Sequence, residues 1–227
     1  MNRLILKSSS LLQIASDLHL EIGFKRIIKP HKPFLILAGD IGYPSQTNYK
    51  DFMLDMSSMF DKVFILSGNH EFDTLKDCSD ISPTELRIKN ICEMRNNLFY
   101  LQKTEHTIDE QDNIVLAGCT LFSELPKTKN LYHLDHSAWL QNITEQNKRK
   151  NYIIATHHCP HVSLIKSKFR NFIPKYFTSD QSHIFSKDNV FMWIFGHTHD
   201  NVNILKDNTF FVTNQYGKFE HSIRNFK

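Results

Sequence analysis

A layered α/β fold with mixed strand directions is what this sequence predicts, on three observations. Short, near-continuously apolar runs rich in β-branched and aromatic residues recur: Leu11 to Ser16, Phe34 to Ala38, Val63 to Leu66, Ile114 to Leu116, Tyr152 to Thr156, Phe191 to Phe195 and Phe210 to Thr213. Such runs suit strands buried on both faces. Segments of helical periodicity lie between several of them. No repeat, low-complexity tract or Pro/Gly/Ser linker divides the 227 residues, which are 41% hydrophobic and 22% charged, so residues 1–227 read as a single domain.

Each element has a local signal. Before the first run, Arg3 and Lys7 flank an apolar stretch that Ser8-Ser9-Ser10 interrupts, and no small-residue cleavage site follows. A secretory leader is therefore not expected, and a cytoplasmic location without disulfides is. Cys78, Cys92, Cys119 and Cys159 are scattered, with no paired spacing for a framework or a zinc knuckle. The apolar runs are strand-sized, so no membrane span is expected. From Tyr49 to Phe60, Phe52, Met53, Met56, Met59 and Phe60 share one helical face. Ser82-Pro83-Thr84-Glu85 reads as a capping box with proline at the first helical position, followed by Leu86, Ile88, Ile91 and Met94. Ser137 to Asn147 puts Trp139, Leu140 and Ile143 on one side, and Asp112-Asn113 marks a turn that would make Leu98 to Cys119 a meander.

Net charge is +3, too mild to imply a nucleic-acid or membrane surface, but 13 histidines are well above ordinary usage. Their placement matters more than their number. Asp17 and His19 follow the first run and Gly39-Asp40 the second; Gly68-Asn69-His70-Glu71 follows the third. His157-His158 ends the fifth, and Gly196-His197-Thr198-His199 follows the sixth. Singly, each has an ordinary reading: Asp17 as a cap, Asn69 as a turn residue, the His157-His158 pair as polar filler. Capping residues have no reason to supply carboxylates, a carboxamide and imidazoles at five strand ends. In open α/β sheets that rim is where ligands bind. His197 and His199, alternate residues of an extended segment, are expected to point the same way.

These five blocks, in order from Asp17 to His199, resemble the signature of the calcineurin-like metallophosphoesterase superfamily: Asp-x-His, Gly-Asp, Gly-Asn-His-(Asp/Glu), a lone His, and Gly-His-x-His. Ser16-Asp17-Leu18-His19-Leu20 is similar to the first block of its small bacterial-type phosphoesterases. The resemblance implies a four-layer αββα sandwich of two mixed sheets, with a dinuclear metal site at the strand C-terminal ends. It implies that Asp17, His19 and His199 hold one ion and Asn69, His157 and His197 the other, with Asp40 bridging and His70 as the catalytic acid. His157 is preferred to His158 because it comes first after its strand. Nitrogen and carboxylate donors suit manganese, iron or zinc, manganese being favoured. A metal-bridging hydroxide would attack a small phosphomonoester or phosphodiester, nucleotide-like in character.

Two departures matter. Protein Ser/Thr phosphatases and dinucleoside-tetraphosphate hydrolases of the superfamily extend Gly-Asp into Gly-Asp-x-x-Asp-Arg-Gly, whereas here Tyr43 stands at the second acid and the arginine is absent, leaving Tyr43 or Glu71 as partner of His70. Tyr43, His158 and Asn214 are candidate substrate-binding residues, and residues 166–186 a candidate lid, with ordinary packing as the equal alternative. Cys159 beside His158 is weak as a nucleophile, because neighbours in a strand point apart. Lys148-Arg149-Lys150 and Lys166, Lys168 and Arg170 read as solvated charge before they read as a phosphate track. The rival functions are a nuclease, against which stands the little chain that follows His199, and a non-catalytic scaffold, against which stands the intact motif set.

Overall fold

Helix α1 (Asn2–Leu11) forms across the serines that interrupt its apolar pattern. Leu4, Ile5 and Leu11 pack against the core, Ser8 is buried, and Arg3 and Lys7 reach Asp112 at 3.0 and 2.7 Å. The helix is thus held by a hairpin about a hundred residues away, which no local pattern announces. The computed structural model describes residues 2–23, 28–73, 80–123, 130–165 and 174–217. Cys78, the basic trio Lys166, Lys168 and Arg170, and part of the candidate lid lie outside them.

From there the order is β1 (Leu12–Ala15), β2 (Phe34–Ala38), α2 (Thr47–Met59), β3 (Lys62–Leu66), α3 (Ser82–Cys92), β4 (Leu98–Tyr100), β5 (Thr104–Asp109) and β6 (Ile114–Cys119). Then come α4 (Asn130–Gln146), β7 (Asn151–Thr156), α5 (Ser182–Phe185), β8 (Val190–Ile194), β9 (Asn203–Lys206) and β10 (Thr209–Val212). One sheet has the order β1-β2-β3-β4, the other β5-β6-β7-β8-β10-β9.

Period-two alternation divides the strands among three cores. Leu35, Leu37, Val63 and Ile65 face outward under Phe52, Met53 and Met56 of α2 and Ile88 and Ile91 of α3. Their neighbours Ile36, Ala38, Phe64 and Leu66 face inward, against Leu116, Ile153, Ala155 and Ile194 of the second sheet. On its far side Val115, Ala117, Ile154 and Trp193 lie under Leu140 and Ile143 of α4. The result is the αββα sandwich. The inner strands of both sheets are buried on two faces, which explains their unbroken apolar runs.

Four expectations change. The first sheet is wholly parallel, not mixed, because α2 and α3 carry the returning chain over its outer face; only the second sheet is mixed, through antiparallel edges β5 and β9. The meander does not form. β4 pairs with β3, and the chain then crosses at Gln102-Lys103 into the other sheet, where β5 pairs with β6. The capping box is replaced by Asp80, whose carboxylate accepts from Ser82 N at 2.9 Å, since Ser82 is already helical. Leu86 and Met94 stay exposed while Thr84 and Cys92 are buried.

The turn at Leu121-Phe122 has positive φ at both residues, 67° and 52°, a strained geometry for bulky side chains. Two histidines of α4 hold it: His136 Nδ1 accepts from Leu121 N at 3.1 Å, and His133 Nδ1 lies 3.1 Å from Leu121 O. Burial pushes the His136 imidazole down to about 4, so it is neutral when folded. The unfolded chain takes up that proton more readily, so this contribution is complete above about pH 6.5 and is lost as pH falls toward 4. Between pH 7.5 and 5 it amounts to about 2 kcal/mol. His136→Asn, which keeps an acceptor near Nδ1 but does not titrate, is expected to flatten the acid side of a urea-unfolding series by that amount. An unchanged slope would show that His136 contributes no acid sensitivity.

Candidate metal centre

The chemistry-bearing residues all sit just past the C-terminal ends of strands, and parallel β1, β2, β3, β7 and β8 bring those ends to one rim. A bridge between Ser16 and Gln215 ties the sheets together there, reinforced by Tyr216 N to Ser16 O and Gly217 N to Asp17 O, each 3.0 Å. Asp17, His19, Asp40, His197 and His199 all have φ between 50° and 69°. A left-handed non-glycine residue costs roughly 1–3 kcal/mol and persists only when its surroundings over-determine it. Here they do: Asp17 N donates to Gly39 O and His19 N to Asp40 O, the Asp17 carboxylate accepts from His197 N at 3.1 and 3.2 Å, and Gln215 Oε1 accepts from His199 N at 2.7 Å.

Gly68 explains another constraint. A Cβ there would run into the Asp40 carboxylate and the His157 ring, so only glycine lets the third loop approach this closely. Glu71 locks that loop to the second. Its buried carboxylate accepts from Asp40 N, Ile41 N and Gly68 N at 3.0, 2.8 and 2.7 Å, while burial and the neighbouring Asp40 charge push its carboxyl up to about 8.

Two donor clusters result, with ligand atoms in each within 4.8 Å of one another: Asp17, His19 and His199, and Asp40, His157 and His197. His19, Asp40 and His70 form a third grouping between them. His197 and His199 therefore do not share one side, as an extended segment would place them; left-handed φ at both turns them into different clusters. Asn69 Oδ1 lies 3.3 Å from His157 Nε2. Asp17, His19 and His157 are wholly buried and Asp40 nearly so.

Ring orientation is set from behind. His19 Nδ1 bonds Glu21 Oε1 at 2.9 Å, His157 Nδ1 bonds Ala38 O at 2.9 Å, and His197 Nε2 bonds Tyr176 O at 3.2 Å. Oxygen partners on the outer nitrogen leave the inner nitrogen's lone pair facing the cluster, the usual support of a metal-binding imidazole. His19 Nε2 and His199 Nε2 stand 3.3 Å apart and His199 Nε2 is 3.3 Å from Asp17 Oδ1. Converging imidazole nitrogens and buried carboxylates are a donor set that fits divalent cations.

Electrostatics agree. Burial opposes ionisation of Asp40, but His157 beside it outweighs this and holds the carboxyl well below the usual range. His157 rises to about 9, since the Asp40 and Asp17 charges overcome its burial. Burial and the His157 charge take His197 down to about 4, and burial lowers His158 further.

His70 Nε2 faces inward, 4.0 Å from Asp40 Oδ2, and its backbone N donates to Asp40 Oδ1 at 2.8 Å. On the outer side Nδ1 faces Asp73 at 3.1 Å and Glu21 at 3.5 Å. Asp73 and Glu21 are thus the carboxylates that face His70 Nδ1, whereas Glu71, one of the two expected partners, is engaged by backbone amides. Tyr43 is half-buried nearby, its phenol raised by burial and by the charge of Glu21. His158 is buried with its ring centroid 4.2 Å from that of His197, and the Asn214 amide donates to Ile14 O at 2.8 Å, tying β10 to β1. Of the candidate lid, Ile184 and Phe185 belong to the core, whereas Tyr176 and Phe177 remain exposed, with Phe177 5.2 Å from His197. Lys148-Arg149-Lys150 precedes β7, at the opposite end of the sheet, and Lys150 pairs with Glu105. Glu21 and Gln215 are the residues that motif reasoning misses. The alternation Asp17-Leu18-His19-Leu20-Glu21 was the available signal for the former.

No helix of the described residues is long and apolar enough to cross a membrane. A curated protein of Acanthamoeba polyphaga mimivirus, "Uncharacterized protein L509", is 29% identical across 95% of this chain and 94% of its own length. Among solved structures, the phosphopantetheinyl hydrolase of Mycobacterium tuberculosis is similar in fold, with a TM-score of 0.72 at 16% identity over 94% of this chain and 91% of that one. A dimetal phosphatase of Danio rerio gives 0.53 at 14% identity over 89% and 86%. The model of the calcineurin-like phosphoesterase family matches residues 14–201, spanning every block of the site. The chain belongs to that family and is a metal-dependent hydrolase of phosphoric esters.

Proposed function

We propose that residues 1–227 form a single domain that hydrolyses a small phosphomonoester or phosphodiester, nucleotide-like in character, at two divalent metal ions. The observation that carries this reading is the pair of donor clusters, Asp17-His19-His199 and Asp40-His157-His197, linked by a third grouping in which His19 of the one lies with Asp40 of the other. Asp17, His19 and His199 would hold one ion and Asn69, His157 and His197 the other, with Asp40 between them and manganese the favoured occupant. Ions there supply Lewis acidity toward phosphoryl oxygens and lower the pKa of an attacking water. The chain's own residues do the rest. Glu71 and Gln215 hold the loops in register, the glycines admit close approach, and His70 stands with one nitrogen toward the cluster and the other on carboxylates, the arrangement of a donor that protonates a leaving oxygen.

Exposed Tyr176 and Phe177 beside His197 support a planar leaving group, and the similarity in fold to a phosphopantetheinyl hydrolase is in keeping with a small phosphorylated substrate. Cys92, Cys119 and Cys159 are free and buried, in keeping with a cytoplasmic protein. The test is a panel of nitrophenyl esters, nucleoside monophosphates and cyclic nucleotides, run on metal-stripped protein refilled with manganese. Metal-dependent turnover of at least one small ester is expected. Protein that holds less than one ion per chain and turns over none of them with manganese, cobalt or zinc refutes the reading.

A further inference from the structure

We infer that Glu21 is a positioning residue that ties His19, on the metal side, to His70, the proton donor, through one buried carboxylate. The inference rests on the roles proposed above for those two histidines. Glu21 Oε1 bonds His19 Nδ1 at 2.9 Å and lies 3.5 Å from His70 Nδ1. The two rings meet edge to face, centroids 4.7 Å apart and planes at 84°, so a single oxygen in the angle between them bonds His19 and faces His70. The Glu21 side chain is only 9% exposed, and its other oxygen, Oε2, is buried with no hydrogen-bond partner.

That half-satisfied state is unfavourable for stability, because a buried carboxylate needs its lone pairs paired. An apolar side chain of similar size would fold as well or better. What the carboxylate provides is direction. Accepting from Nδ1 of His19 turns that ring's Nε2 lone pair toward Asp17 and His199, and facing Nδ1 of His70 leaves its Nε2 toward Asp40. Asp73 also faces His70 Nδ1, at 3.1 Å, but is 39% exposed; Glu21 is the partner shielded from water and the one that touches both rings. Gly42 keeps the space open, since a Cβ there would stand 3.0 Å from Leu20 Cβ and 3.6 Å from Glu21 Oε2.

The test uses Glu21→Ala and Glu21→Gln in the full chain, with manganese as the probe ion. Nitrogen NMR of the metal-free protein is expected to show His19 protonated at Nδ1, and that preference lost in Glu21→Ala. Manganese affinity should fall roughly 10–100-fold in Glu21→Ala, and less in Glu21→Gln, whose amide oxygen still accepts from His19. At saturating manganese, turnover of an alkyl phosphate ester should fall more than that of a nitrophenyl ester. The double variant with His70→Ala should lose less on the alkyl ester than the product of the single losses. Wild-type tautomer and affinity in Glu21→Ala overturn the inference. So do equal losses on both esters that multiply with His70→Ala, since Glu21 would then support His19 alone. If Glu21→Ala does not fold, Glu21→Leu, apolar and of similar size, decides, and an unchanged leaving-group dependence there overturns the tie. A wild type without manganese binding or turnover would fail the functional reading instead, while the tautomer measurement still reports on Glu21.

Discussion

Asp40→Asn is expected to empty the centre further than the loss of any outlying donor. Asp40 and His19 each stand in two of the three donor groupings, whereas His197 and His199 each stand in one. Of the pair that stand in two, Asp40 alone brings a carboxylate charge, and its Oδ1 lies 3.3 Å from His157 Nε2. Asparagine keeps the size and can still accept from His70 N, so the fold should survive while the charge is lost. Elemental analysis after purification in manganese should find less than one ion per chain in Asp40→Asn, and more than that in His199→Ala. Turnover should drop by about 10³-fold or more, at or beyond the scale of removing a single pre-organised electrostatic group. An Asp40→Asn protein that retains two ions per chain would remove Asp40 from its bridging role.

His70→Ala should leave metal content intact and slow turnover selectively. Proton donation matters when the leaving oxygen is a poor leaving group, and nitrophenolate departs without help. General acid catalysis is worth roughly 10²–10⁴-fold, so an alkyl or nucleoside ester should lose about that much and a nitrophenyl ester considerably less. The bond from the backbone of residue 70 to Asp40 Oδ1 persists in the variant, so the loop should hold its place. Metal content is measured first, because His70 also groups with His19 and Asp40. A loss of metal would make His70 a ligand, and equal losses on both esters would rule out proton transfer to the leaving group.

What the sequence determined by itself was the strand-and-rim pattern. Strands covered on both faces need unbroken apolar runs, and Phe34 to Ala38 shows such a run at its boundaries. The polar residues after each run stand out because nothing in a buried strand calls for them. Asp17, His19, Asp40, Asn69, His157, His197 and His199 could therefore be marked as one set before any geometry was known. The two sheets, and the side of the rim on which each residue ends, were not readable in this way.

Only the tertiary structure decided the remainder, because each such feature depends on a partner distant in sequence or on a backbone angle that side-chain identity does not encode. β4 and β5 look like consecutive strands of one sheet, but hydrogen-bonding partners rather than composition assign them to different ones. α1 is docked by Leu4, Ile5 and Leu11 against the core and by Lys7 against Asp109 and Asp112. His197 and His199 part company because both residues are left-handed, an angle held by the Asp17 carboxylate and Gln215 from other strand ends. Glu21 lay in plain view two positions after His19. Its significance appears only when the loop after β3 brings His70 against the same carboxylate, since a hydrogen bond between elements becomes legible only once both elements are in place.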